Sequence, residues 1–193
     1  MTKKVEVRNE REVKSYAEFW HTSLCLLEMT NVVKEGHFHL VMGSLVFTAF
    51  TLEAYLNHIG SIVFKCWADL ERLSPKEKLN VIAEKIEIEV DYGKRPWQSL
   101  TQLFQFRNDI AHGKTHTITK VEIETLEKHN KYYNPWDSRA RTRWEEYCTQ
   151  SNAERAREDV REIVGLILAA AKVENEYPFS MGLEYGGSTL LQG

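Results

Sequence analysis

Cysteine is scarce in this chain, and so is any surplus of one charge. Its three cysteines, Cys25, Cys66 and Cys148, lie far apart, are odd in number and form no Cys-x-x-Cys pair. That argues against a disulfide framework and predicts buried or inert thiols in a reduced, cytoplasmic setting. Lys and Arg number 25 against 28 Asp and Glu, a net charge of -3. No overall basic character marks the chain, so any contact with nucleic acid has to rest on a local patch. The stretch from Met1 to Lys14 is charged throughout and lacks the apolar run of a signal peptide, so export is not expected. Leu40 to Phe64 is long enough to raise a membrane span. Glu53, Asn57 and His58 interrupt it near the middle, and the expectation is a buried helix with no membrane contact. A glycine-rich phosphate loop, a Gly-x-Ser-x-Gly elbow, a metal-ligand cluster and internal repeats are all missing, so neither a cofactor nor a metal is expected.

What is present is the composition of an ordinary globular domain, 42% hydrophobic and 27% charged over 193 residues, enough for one domain with a real core. Helical spacing dominates. Val13, Tyr16, Trp20, Leu24 and Leu27 form one apolar stripe that Gly36 ends. Val41, Leu45, Leu52, Leu56, Ile59 and Val63, with Phe47 and Phe50 on other sides, mark the next helix as the central and most buried one. Ser74-Pro75-Lys76-Glu77 is a capping box with proline at the first helical position, predicting a helix to about Glu89. A turn at Asp91-Tyr92-Gly93 precedes a helix starting at Arg95-Pro96-Trp97 and stopped by Gly113. Thr119 with Glu122 reads as another capping box, although Val121 and Ile123 also suit a short strand. Asn134-Pro135-Trp136-Asp137 is a further start, and Ser151 with Glu154 leads into a last long helix with Val160, Ile163, Val164, Ile167 and Ala171 on one face. These patterns predict an all-α antiparallel bundle of five or six helices. They assign one domain to residues 1–174 and a mobile tail to residues 175–193, where Gly186-Gly187-Ser188 breaks all periodicity.

The residues that point to chemistry are in Arg107-Asn108-Asp109-Ile110-Ala111-His112-Gly113, which closes an apolar helix. An arginine holds a phosphate with a planar fork of donors, and a histidine gives and takes protons near neutrality. His112 falls in the last turn, where the helix dipole favours imidazolium. Residues five apart on an ideal helix point roughly 140° apart, so Arg107 and His112 do not share a face, whereas Asn108 and His112 do. Local unwinding at Gly113 or a second copy of the motif would let both groups address one phosphate. Asn108 would then orient a histidine or the phosphate. Glu53 and Asn57, one turn apart on the central helix, are candidates to hydrogen-bond Arg107 and fix its fork, with Asp109 as a further support. Lys114, His116 and Lys120 form the nearest basic patch for phosphate contacts.

The heptapeptide resembles the signature of the HEPN superfamily, small all-helical domains in which an arginine, four to six residues and a histidine form the active site of many metal-independent endoribonucleases. The helical pattern agrees with such a domain over roughly residues 9 to 174. The resemblance implies RNA as substrate, cleavage that leaves a 2′,3′-cyclic phosphate and a 5′-hydroxyl, and a homodimer whose two motifs face one cleft. It also implies a role as a defence effector or toxin, held in check by an antitoxin protein. Some relatives carry a tyrosine beside the histidine that is nucleotidylated; Ala111 stands there in this chain.

Plainer assignments compete with this one. Arg107 can serve only to bridge to Glu53 and His112 only to satisfy helix-end carbonyls, and the superfamily includes inactive dimers that bind a nucleotide, RNA or a protein. His112 and His116 have a ligand-like separation, but they straddle Gly113 with no partner carboxylate or cysteine nearby. The tryptophans could stack bases, but most read as core or interface anchors. Arg155, Arg157 and Arg161, interleaved with acids, read as a solvated face, and Arg139, Arg141 and Arg143, partly offset by Glu145 and Glu146, are the better candidate for an RNA-facing strip.

Overall fold

The computed structural model describes residues 4–132, 134, 139–173 and 177–190. The protein is mostly helical. Its elements run β1 (Val5–Arg11), α1 (Ser15–Met29), α2 (His37–Val63), α3 (Trp67–Leu70), α4 (Pro75–Lys85), α5 (Gln98–Ala111), α6 (Leu126–Tyr132), α7 (Arg143–Tyr147), α8 (Gln150–Ala171) and β2 (Glu184–Leu190).

The central helix is the one whose apolar residues are spread around its circumference. Val41, Leu45, Ala49, Leu52, Tyr55, Leu56 and Ile59 of α2 are each at most 1% exposed. Helices α1, α3, α4, α5 and α8 all pack against α2. By length and composition α2 also suffices to cross a bilayer, and half of its most apolar window is packed inside the protein. The stripe of α8 closes the core from the other side with Val160, Ile163, Val164 and Ile167.

A polar junction sits between α1, α2 and α8. The Arg157 guanidinium donates to Ser23 Oγ at 2.6 Å and to the Trp20 carbonyl at 2.9 Å, and it lies 3.8 Å from the Trp20 ring centre. Ser23 in turn meets Thr48 at 2.7 Å, while Ser44 Oγ donates to the Ser23 carbonyl. Burial lowers the Arg157 pKa to about 10. Arg157 is therefore not part of a solvated face; its stem and fork are enclosed because the junction supplies acceptors.

Several helix ends are where local sequence rules place them. Ser74 and Glu77 form the reciprocal capping box, with Pro75 at the first position. Asp91 closes its turn by accepting from the Gly93 and Lys94 backbone amides. Others are not. Helix α4 stops at Lys85 rather than near Glu89, because Glu87 adopts a left-handed φ of 60° and the Ile88 amide reaches back to the Ala83 carbonyl at 2.9 Å. Helix α8 is capped by Thr149, two residues before the expected Ser151. Thr119 and Glu122 cap nothing, since residues 113–125 have no regular structure. The helix expected from there to about Asn130 begins only at Leu126, as α6, and Val121 and Ile123 before it are 83% and 100% exposed. The start expected at Asn134-Pro135-Trp136-Asp137 lies largely outside the described residues; α7 begins instead at a Thr142–Glu145 capping box.

The mostly helical make-up agrees with the all-α expectation, and to it the structure adds one antiparallel ribbon of β1 and β2, Val5 opposite Leu190 and Arg11 opposite Glu184. The segment expected to lack regular structure thus supplies a strand. Pairing across nearly the whole chain leaves no local trace, and every residue of both strands is exposed, so no alternation of burial advertises it. The ribbon is registered at its base, where the Glu12 amide donates to the Leu183 carbonyl at 2.9 Å and a side chain at Gly182 would overlap the Glu12 backbone.

The cysteines divide by burial: Cys25 and Cys66 are exposed, while Cys148 is buried, its thiol pushed up to about 11. The expectation of buried thiols therefore holds for one of them. Maleimide at pH 8 should modify Cys25 and Cys66 in the folded protein and spare Cys148, whose thiolate fraction there is ~0.001. Intact-mass analysis checks this: two adducts natively and a third only in denaturant. Three adducts at equal rates without denaturant would contradict the packing around Cys148.

Candidate functional site

The motif occupies the C-terminal turn of α5, and its residues point three ways. Leu100, Leu103, Phe104 and Phe106 anchor the helix in the core. This leaves Arg107 half-buried against α2, Asn108 exposed, and Asp109 turned towards α7. His112 ends the helix with φ -117° and ψ 22°, its amide donating to the Asn108 carbonyl at 2.9 Å. The Asp109 carbonyl would meet a side chain at Gly113 at 3.2 Å, a close approach that suits glycine at the stop.

Arg107 is held on several sides. Its Nη2 donates to Glu53 Oε2 at 2.6 Å, its Nη1 donates to Asn108 Oδ1 at 2.9 Å, and its guanidinium carbon lies 5.7 Å from the Phe50 ring centre. Glu53 also faces Lys78, whose ammonium is 4.0 Å away on a side chain only 4% exposed. One carboxylate thus stands between two cations, and the cluster keeps a surplus positive charge.

The expected Glu53 contact is therefore present, but the companion one is not. Asn57 makes no hydrogen bond to Arg107; its Oδ1 is buried without a partner, as is Arg107 Nε. One turn along α2 carries Asn57 away from the bound edge of the guanidinium. Asp109 does not support Arg107 either. It pairs with Arg143 at 3.0 Å and tethers α7 to the end of α5, because residues two apart on a helix face nearly opposite ways. Asn108 orients the arginine rather than His112, whose side chain makes no hydrogen bond or ion pair among the described residues. Among the same residues, no bond or ring contact joins Arg107 to His112 within the protomer, as the angle between positions five apart requires.

Beyond the motif, Lys114, His116 and Lys120 all lie on the exposed connector. His116 Nδ1 donates to the Lys114 carbonyl at 2.9 Å, and Lys120 is paired with Glu122 at 3.0 Å, which halves the free charge expected of this patch. Among the described residues, no group of three potential metal ligands gathers here or elsewhere. Sequence reasoning missed Phe50 and Lys78 beside Arg107, and it read Arg143 as part of an RNA-facing strip where the structure ties it to Asp109. Only Lys78 carried a usable signal, four residues before Ile82 on the buried stripe of α4.

Fold and site together define a mostly helical domain in which an anchored arginine and an unpartnered histidine flank the last turn of one helix. Comparison with protein-family models, curated proteins and solved structures finds no match.

The Glu53–Arg107 pair is partly buried, each side chain about a fifth exposed, so solvent screens it only in part. A double-mutant cycle with Glu53→Gln and Arg107→Ala, read by urea denaturation, should give a coupling of about 1–2 kcal/mol. A coupling near zero would mean that the two side chains do not depend on each other in solution.

Proposed function

We propose that the chain is a metal-independent endoribonuclease of the HEPN type, acting on RNA as a homodimer. The observation that carries this reading is the preparation of Arg107. Glu53 and Asn108 fix its fork at the end of α5, beside a second cation, and an unengaged imidazole follows one turn later.

A phosphodiester cleaved without a metal needs stabilisation of charge building on its non-bridging oxygens, which a fixed guanidinium supplies. It also needs a proton taken from the ribose 2′-hydroxyl and one given to the departing 5′-oxygen, which imidazole groups can do. The 2′-oxygen bonds to phosphorus as the bond to the 5′-oxygen breaks, so the products are a 2′,3′-cyclic phosphate and a 5′-hydroxyl. Arg107 would hold the phosphate and His112 would move the proton. A two-fold axis through the motif would bring the histidine of one protomer to the arginine of its partner, resolving the angle that separates them on one helix. A toxin or defence effector restrained by an antitoxin protein is the setting that the resemblance suggests, and a cytoplasmic location goes with it.

A second reading has its own support. Arg107 Nη2 is already committed to Glu53, and among the described residues the protomer brings no general base to it. A non-catalytic dimer that binds a nucleotide, RNA or a protein would need no more than this.

The two readings part in one experiment. Purified protein incubated with mixed RNA in EDTA should produce fragments with cyclic-phosphate ends. Arg107→Ala and His112→Ala should each slow cleavage by about 100-fold or more while keeping helical content and oligomeric state. Equal rates in wild type and both variants would sink the nuclease reading. Absence of cleavage by any of them, with an unchanged dimer, would favour the binding protein.

A further inference from the structure

The face of α5 turned away from Arg107 borders a long polar groove. Gln102, Gln105 and Asp109 line it at helical spacing, with Gln98 one turn earlier, and Asn152 and Arg155 of α8 with Trp144 and Tyr147 of α7 form the opposite wall. Two hollows of about 670 and 450 Å³ share Gln102, Tyr147, Asn152 and Arg155, so they are parts of one channel. A third, of about 640 Å³, continues past Glu146 to Lys120, Arg139 and Arg141. The stretch from Gln98 to Asp109 alone is ~17 Å long at 1.5 Å per residue.

The groove's chemistry is uneven. Arg95, Arg143 and Arg139 are tethered, to Asp159, Asp109 and Glu145 respectively. Among the described residues, Arg155 and Arg141 are exposed and make no ion pair, the Glu146 carboxylate between the hollows is likewise exposed without one, and the side-chain amides of Gln98, Gln102 and Gln105 have no hydrogen-bond partner. Exposed guanidinium groups alternate with free amides and the Trp144 indole along one channel. Phosphates suit the first and base edges the second, and a stacked base suits the third. In an A-form RNA duplex the major groove is too deep and narrow for side-chain amides to read base edges, whereas a single strand presents them. A mononucleotide would occupy only part of the length.

We propose that this groove binds single-stranded RNA, with phosphates on Arg155 and Arg141 and bases against Trp144 and the glutamine amides. Its inner end is at Asp109, three residues before His112, so the strand leads towards His112, while Arg107 of the same protomer lies on the opposite face. That last step, and the choice of RNA over DNA, rest on the nuclease reading; the binding of a single strand does not.

The test uses full-length His112→Ala protein, which is chemically silent on that reading, and a fluorescently labelled single-stranded RNA followed by anisotropy at several salt concentrations. Arg155→Glu with Arg141→Glu should weaken binding roughly tenfold or more and reduce the slope of log affinity against log salt by about 0.7 for each phosphate no longer neutralised. Arg161→Glu, on α8 but outside the groove, should change affinity little, and Gln102→Ala with Gln105→Ala should weaken binding without altering the slope. Equal losses from Arg161→Glu would reduce the effect to net charge and overturn the groove. Unchanged affinity in the double arginine variant, equally tight binding of duplex RNA, or no RNA binding at all would also overturn it, the last pointing to a protein partner. In a cleaving background, the arginine variant should raise KM for a long RNA and leave cleavage of a dinucleotide unchanged. Loss of binding in that variant, combined with a wild type that never cleaves, would keep the groove and remove the nuclease.

Discussion

A carboxylate in the middle of the most buried helix is the constraint around which this protein is arranged. Glu53 stands one residue from Leu52 and two from Tyr55, both fully enclosed, and its own side chain is only 22% exposed, so an unpaired charge there is costly. Two helices meet the demand: α5 delivers Arg107 at 2.6 Å and α4 delivers Lys78 at 4.0 Å. Each cation would be as costly to bury alone, so the three groups fix one another's positions. Arg107 is thereby orientated by the same interaction that sets how α5 lies on α2.

The other end of α5 is held in the same way. Asp159 of α8 is fully buried, and it accepts from Arg95 Nε and Nη2 at 2.9 and 2.7 Å and from the Ser99 hydroxyl. A bidentate guanidinium with a hydroxyl satisfies most of the lone pairs of a carboxylate that has left water. With Asp109 tied to Arg143 at the far end, α5 is fixed by ion pairs to α8, α2 and α7 in turn. The charges leave its amides as the free polar groups along one side and His112 as the free one at its end. A helix pinned in this way can offer side chains to a ligand without first having to order itself.

The parts of this arrangement that were legible in the sequence are those that depend on near neighbours. The Ser74–Glu77 capping box, the Asp91 turn and the stripes of α2 and α8 follow from residues within a few positions of one another. Glu53 as a partner for Arg107 was legible for a different reason: a charge inside an apolar run demands a counter-charge, and the motif offered one. Asp159 made the same demand, but it lies among Arg155, Glu158 and Glu162, where a charge looks solvated, so its pairing with Arg95 was invisible. The ribbon of β1 and β2 was hidden for want of any buried face, and the division of labour between Asn108 and Asp109 turned on the position of α7, whose capping box had gone unread.

Net charge has a narrower meaning in such a molecule than in a small basic domain. At physiological ionic strength an exposed charge is screened within about 8 Å, so acids on distant faces do little to the potential in a cleft. What counts is the local balance. Around Glu53 it is two cations to one anion; along the groove Asp109 already neutralises Arg143, while Arg155 and Arg141 stand against the single unpaired carboxylate of Glu146, again two to one. A chain of net charge -3 can therefore present two positive strips on either side of one helix. Because each strip depends on a few unpaired groups rather than on bulk charge, its affinity for an anion should be governed by those residues singly, and the acidic remainder of the surface should help by repelling a polyanion from every other face.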